Sequence, residues 1–184
     1  MEKAMNTSKP KNYKLISTFQ PAFTEPSEMT FIDGDSARLL SILIRKDFRI
    51  DVKEDTFYYK AVQLDTQQTA IVHRTMLSRL DSSLLQGNKA GVDGISIAYR
   101  YVQNGETLFY SFHSPSKATN SSAFELASAT LGTYQGIFKD TIISDYFNEV
   151  RMYLSSELSN QPTTITPLKR LREVKYNGFI KYSR

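Results

Sequence analysis

His73 and His113 are the only imidazoles in this 184-residue chain, and it contains no cysteine. Without Cys there is no thiolate nucleophile, no disulfide framework and no thiolate metal site. His113 falls at the end of a predicted strand, across from Ser96, where a hydroxyl nucleophile and its base could meet. No Gly-x-Ser-x-Gly elbow surrounds Ser96, and Ser and His side chains on paired strands also meet for structural reasons, so the pair is read as structural. His73 lies within an apolar periodic segment, where an ordinary partly buried histidine is the simpler reading. Nothing in the spacing converges the two rings on a carboxylate, and no metal is expected. "GNKAG" lacks the Walker A spacing and its Gly-Lys-Ser/Thr ending, and Gly-x-Gly-x-x-Gly does not occur, so no nucleotide or other cofactor is expected. No catalytic residues are assigned, and the chain is read as non-enzymatic.

Carboxylates gather in "FIDGDS" and "KDFRIDVKED", which hold Asp33, Asp35, Asp47, Asp51, Glu54 and Asp55. Two of them could share acid and base roles or hold a divalent cation. The simpler reading makes Asp33 and Asp35 turn and helix-start residues, and the others a solvated strand face alternating with Arg49 and Lys53. No EF-hand loop fits, because Glu is missing at its twelfth position. Asp51, Glu54 and Asp55 remain as a candidate docking patch for a basic partner. At the other end, Lys169, Arg170, Arg172 and Lys175 could touch phosphates, although lysines beside a strand also discourage edge pairing.

Charge separates along the chain. Residues 1–20 carry four lysines against Glu2, residues 159–184 carry six basic groups against Glu173, and the middle is therefore acidic although the total is +4. The basic pI of about 9.2 belongs to the two ends, which argues against a basic folded face that reads nucleic acid.

These residues need elements to position them. Residues 1–20, with Ser, Thr, Asn, Lys and Pro10, read as a flexible basic segment, and residues 21–184 as one α+β domain. Pro21 and Pro26 suggest an irregular approach. Ser36 is placed to cap a helix through "ARLLSILIRK", where Leu39, Leu40, Leu43 and Ile44 share a face. "DFRIDV" and "TFYYKAVQL" read as strands. Ala70, Ile71, Leu77, Leu80 and Leu84 recur at helical intervals between Thr66 and Gln86, with glycines closing the run. Ser122 and Glu125 have capping-box spacing ahead of a stripe of Phe124, Ala127, Leu131, Tyr134 and Phe138. A further helix is expected from Thr141 to Leu158, followed by the linker "SNQPTTITP". "REVKYNGFIKYS" is expected to close the chain as a strand.

"YRYVQNGETLFYSFH" carries the clearest signal. A two-residue Asn104-Gly105 turn pairs Tyr101 with Leu108, Tyr99 with Tyr110 and Ile97 with Phe112, all on one face. The other face pairs Val102 with Thr107, Arg100 with Phe109, Ala98 with Ser111 and Ser96 with His113. One apolar and one mostly polar face predict an antiparallel sheet covered by helices on one side. Ile97, Tyr99, Tyr101, Leu108, Tyr110 and Phe112 are then core residues, in preference to a platform on which bases stack. The expected fold class is α+β, an antiparallel sheet with helices packed mainly on one face.

No apolar leader is visible in "MEKAMNTSKPKNYKLISTFQ" and no segment approaches a membrane-spanning run, so a cytoplasmic protein is expected. The order "DGISIAYRYVQNGETLFYSFHSPS", two helices ending "YFNEVRMYL", and a terminal "VKYNGFIKYS" resembles small bacterial proteins, some of them similar to immunity proteins of interbacterial toxin systems. The resemblance covers roughly the last half of the chain, rests on pattern, and carries over no functional residue. It implies a binding protein that engages another protein, such as a toxin, by surface complementarity. Arg100 and Phe109 are the candidate anchors, either exposed on the sheet or joined in a cation-π contact roofed by another element. The alternative is a nucleic-acid-associated protein using Lys169, Arg170, Arg172 and Lys175.

Overall fold

A computed structural model of the chain describes residues 12–22, 24–46, 54–80, 94–103, 105–154 and 179–183. Within them the elements run β1 (Tyr13–Pro21), β2 (Ser27–Asp33), β3 (Arg38–Lys46), β4 (Glu54–Gln63), α1 (Thr66–Thr75), β5 (Ile95–Gln103), β6 (Glu106–His113), α2 (Ser121–Phe138), α3 (Thr141–Leu154) and β7 (Phe179–Ser183). A 3-10 turn, Leu77–Arg79, follows α1. The strands make one antiparallel sheet in the order β6-β5-β1-β2-β3-β4-β7. The fold is α+β, as the alternating pattern of the hairpin implies.

Strand register explains the core. Across the sheet one row runs Phe112, Ile97, Phe19, Ser27, Ile44 and Tyr58, and the next runs Tyr110, Tyr99, Ser17, Met29, Ile42 and Lys60. Because side chains alternate along a strand, these rows share one face. The helices lie on that face, as their hydrogen bonds show: Tyr99 with Thr130 of α2, Tyr146 of α3 with Ser27, and His73 of α1 with Tyr13. Phe19, Met29, Phe31, Leu40, Ile42, Tyr99, Leu131, Tyr134 and Phe147 are fully buried between the layers.

The β5–β6 hairpin has the expected register throughout, and Gly105 takes φ +84° within its turn, a conformation that suits glycine. Ile97, Tyr99, Tyr110 and Phe112 are buried and Tyr101 is half-buried, as core residues should be. Leu108 is the exception and stays 50 % exposed, because the turn end of the outermost strand runs past the helical cover.

Other expectations are corrected. "ARLLSILIRK" is strand β3, not a helix, with Leu40, Ile42 and Ile44 buried at period two. Its opposite face carries Leu39 and Leu43, so apolar residues on both faces imitate helical spacing, while the β-branched Ile42 and Ile44 favour the strand. Asp33 consequently ends β2, and Asp35 lies in the turn before β3 rather than at a helix start. The supposedly flexible segment includes β1, a central strand paired on both sides, in which Tyr13, Leu15 and Phe19 alternate with Lys14 and Thr18. Pro26 directly precedes β2, whose Met29 and Phe31 are buried at period two.

Helix starts also moved. Asp65 caps α1 in a capping box with Gln68, and Asn120, not Ser122, caps α2 by accepting from the Ala123 amide. Helix α1 is shorter than the Thr66–Gln86 pattern, and residues 81–86 lie outside the described residues, as do "DFRIDV", 155–158, the linker and residues 172–178.

Candidate functional site

The helix-free face of the sheet carries Lys14, Ile16, Thr18, Glu28, Thr30, Ile32, Ala98, Arg100, Val102 and Phe109 by strand alternation and register. Arg100 on β5 lies between Phe109 on β6 and Ile16 on β1, and Ile16 is next to Thr30 on β2. Phe109 is 60 % exposed, the highest of the exposed large apolar side chains among the described residues, and Arg100 is exposed beside it. No helix or strand roofs the pair, and no ion pair or cation-π contact engages Arg100 among the described residues. Among the described residues, then, nothing forms the roofed contact that the sequence allowed. With Ile16, Thr18, Glu28 and Ala98 they line a shallow depression of about 280 Å³.

An aromatic ring next to a guanidinium that is not committed to a carboxylate has two ways to bind. The ring removes apolar area from water, and the guanidinium offers planar donors to a carboxylate or carbonyl. Among the described residues, neither group holds an ion pair or cation-π contact that binding would have to break.

The other candidate residues lie elsewhere. Glu54 and Asp55 begin β4 and pair through their backbones with Ser183 and Tyr182 of β7. Strand β4 is four places from β5, roughly 19 Å at the usual strand spacing. The fold therefore does not bring them against Arg100 and Phe109. Asp51 lies outside the described residues, as do Lys169, Arg170, Arg172 and Lys175.

A polar cluster that sequence spacing did not reveal sits at the opposite face, under α1. Asp33 lies directly across from Arg38 and next to Tyr13 in the sheet register. His73 descends from α1 so that Nε2 is 2.8 Å from Asp33 Oδ2, its ring also meets the Tyr13 hydroxyl, and Arg38 Nε is 3.4 Å from Asp33 Oδ1. The Tyr13 ring is edge-on to His73 and Phe31. Sequence separations of 20, 40 and 60 residues among Tyr13, Asp33 and His73 leave no local motif to find. The Asp33 carboxylate is engaged by three neighbours, and Tyr13 is almost fully buried, so the cluster fastens α1 to the sheet more evidently than it presents a reactive atom. A wide hollow of about 440 Å³ beside it is lined by Tyr13, Lys14, Ile32, Asp33 and Val102.

Ser96 Oγ and His113 Nδ1 are 3.3 Å apart, the meeting of paired strand residues expected from the register. Among the described residues no group of three or more His, Asp or Glu side chains is arranged to hold a metal. Nor is any helix among them long and apolar enough to cross a membrane.

Two carboxylates are shifted by their surroundings. Burial opposes ionisation of Asp140, but the Lys60 ammonium at 2.6 Å, the Ile143 amide and the Tyr58 hydroxyl outweigh it and hold the carboxyl below its ordinary range. Glu149 on α3 is pushed up to about 7, first by burial and then by the charges of Glu25 and Asp145.

No protein-family model matches the chain, and no curated protein is similar enough to it to count as a relative.

Proposed function

We propose that this is a non-enzymatic, cytoplasmic protein that binds another protein through the helix-free face of its sheet, in the manner of an immunity protein neutralising a toxin. The observation that carries this reading is the exposure of Phe109 beside an uncommitted Arg100, over a depression floored by Ile16. Aromatic and Arg side chains at the centre of an interface commonly supply most of its binding energy. On strands β1, β2, β5 and β6, Lys14 and Arg100 outnumber Glu28 among the described charges of this face, which favours a partner segment carrying carboxylates. A standard interface of about 800 Å² per partner covers this centre together with the neighbouring strands β1 and β2.

Calorimetric titration of the protein encoded beside this chain, against wild type, Arg100→Ala and Phe109→Ala, tests the reading. Each substitution is expected to weaken binding by at least about 2 kcal/mol. Unchanged affinity in both would remove the sheet face as the site. A steep loss of affinity with salt, shared by unrelated oligonucleotides, would instead favour the nucleic-acid alternative through the basic C-terminal residues.

A further inference from the structure

Strand β6 ends the order of the sheet, so among the described residues nothing pairs with its outer side. Its hydrogen-bonding polarity follows from the turn. A two-residue connection makes Gln103 and Glu106 a hydrogen-bonded pair, and such pairs recur at every second position. The Ser114 amide donating to the Ile95 carbonyl at 2.7 Å confirms this phase at the far end of the hairpin. Thr107, Phe109 and Ser111 therefore turn their amides and carbonyls away from β5.

Edges of this kind are usually blunted by Lys, Pro or a bulge. Between Thr107 and Phe112 there is no charged residue and no proline, and the register with β5 is unbroken. Instead the edge places two exposed apolar side chains in succession, Leu108 on the helix side and Phe109 on the open side. Exposed apolar groups on both faces of an edge left unpaired among the described residues are what a further strand would cover.

We propose that the occupant is a second copy of this chain, paired antiparallel through β6 about a two-fold axis at Phe109. The row is self-complementary in that register. Phe109 meets Phe109 of the partner subunit as a hydrogen-bonded pair, and Thr107 meets Ser111 of the partner subunit on each side, so all three outward amides and carbonyls are satisfied. Leu108 lies opposite Tyr110 of the partner subunit at the closer, non-hydrogen-bonded spacing, which covers the leucine that the helices leave bare. Glu106 faces Phe112 of the partner subunit, so the two Glu106 carboxylates stay far apart. A two-fold at Thr107 would bring them close, and one at Ser111 would run past the strand end, where Ser114 takes φ +42°. The two sheets then continue as one across an isologous interface.

Light scattering on the full chain is expected to show the molar mass rising from 21.0 kDa toward twice that value as concentration enters the high-micromolar range. Ser111→Pro removes one outward amide without touching the bonds to β5, and Leu108→Lys puts a charge on the edge at a side chain the fold leaves half exposed. Each should weaken dimerisation at least about tenfold while circular dichroism stays native. The chain has no cysteine, so the double variant Thr107→Cys, Ser111→Cys treated with a short bis-maleimide, which spans the wider hydrogen-bonded spacing, should give a covalent dimer. Four residues apart on one strand, the two thiols lie too far apart for the same short linker to join them within a chain. A mass that stays monomeric throughout, a dimer unmoved by Leu108→Lys, or a dimer in which the paired cysteines fail to cross-link would each overturn the proposal.

Discussion

His73 Nε2 on α1 lies 2.8 Å from Asp33 Oδ2 on β2, and the Tyr13 hydroxyl of β1 meets the same imidazole. One carboxylate thereby ties a helix to two central strands and, through Arg38, to a third. Replacing Asp33 with Ala strands three hydrogen-bonding groups at once. The expected cost is about 2 kcal/mol, read by chemical denaturation, since unsatisfied partners in a partly buried network cost about 1–3 kcal/mol. Phe109→Ala and Arg100→Ala, on the exposed face, should change stability by less than about 0.5 kcal/mol.

Asp140 performs a similar task at the start of α3, where it accepts from the Ile143 amide, Lys60 and Tyr58. Asp140→Ala is expected to destabilise by about 1–2 kcal/mol through loss of the cap and the ammonium partner. Its carboxyl titrates below its ordinary value in the folded chain, so its contribution is present above the unfolded pKa and is lost as pH falls through the folded one. The stability difference between wild type and Asp140→Asn should therefore shrink in acid, which denaturation series at neutral and acid pH would measure.

Glu149 has the opposite sign. With a folded pKa near 7 against an ordinary 4.5, the native state holds an extra proton between these values, and this group's contribution to stability falls as pH rises through that window. Solvent screening at this partly exposed carboxylate limits the effect to about 0.5–1 kcal/mol. Glu149→Gln should be more stable than wild type at pH 8 and lose that advantage near pH 5, as followed by thermal melts at the two pH values.

Buried tyrosines separate paired from unpaired hydroxyls. Tyr99 shares a hydrogen bond with Thr130, whereas the buried Tyr134 hydroxyl has no partner among the described residues. Tyr99→Phe is expected to cost about 1 kcal/mol, and Tyr134→Phe to be neutral or stabilising, because it removes a desolvated group without breaking a bond. Comparing the two denaturation midpoints checks the contrast.

What the chain's order of residues determined was local. Asn104-Gly105 between two alternating runs set the hairpin and its register, since a two-residue turn admits one pairing and alternation admits one inward face. The same phase puts Arg100 opposite Phe109. The stripes of α2 and α3 were equally legible, because a helix needs only its own spacing to define a buried face.

Tertiary structure decided whatever depended on both faces of the sheet. Strand β3 looked helical because Leu39 and Leu43 occupy one face while Leu40, Ile42 and Ile44 occupy the other, and only pairing with β2 and β4 selects the extended chain. Strand β1 looked like a tail until β2 and β5 flanked it. The Tyr13, Asp33, Arg38 and His73 cluster is a product of register and of where α1 lands. Among the described residues, the exposure of Phe109 and of Leu108 was likewise decided by tertiary packing, because side-chain period assigns a face but not what lies above it.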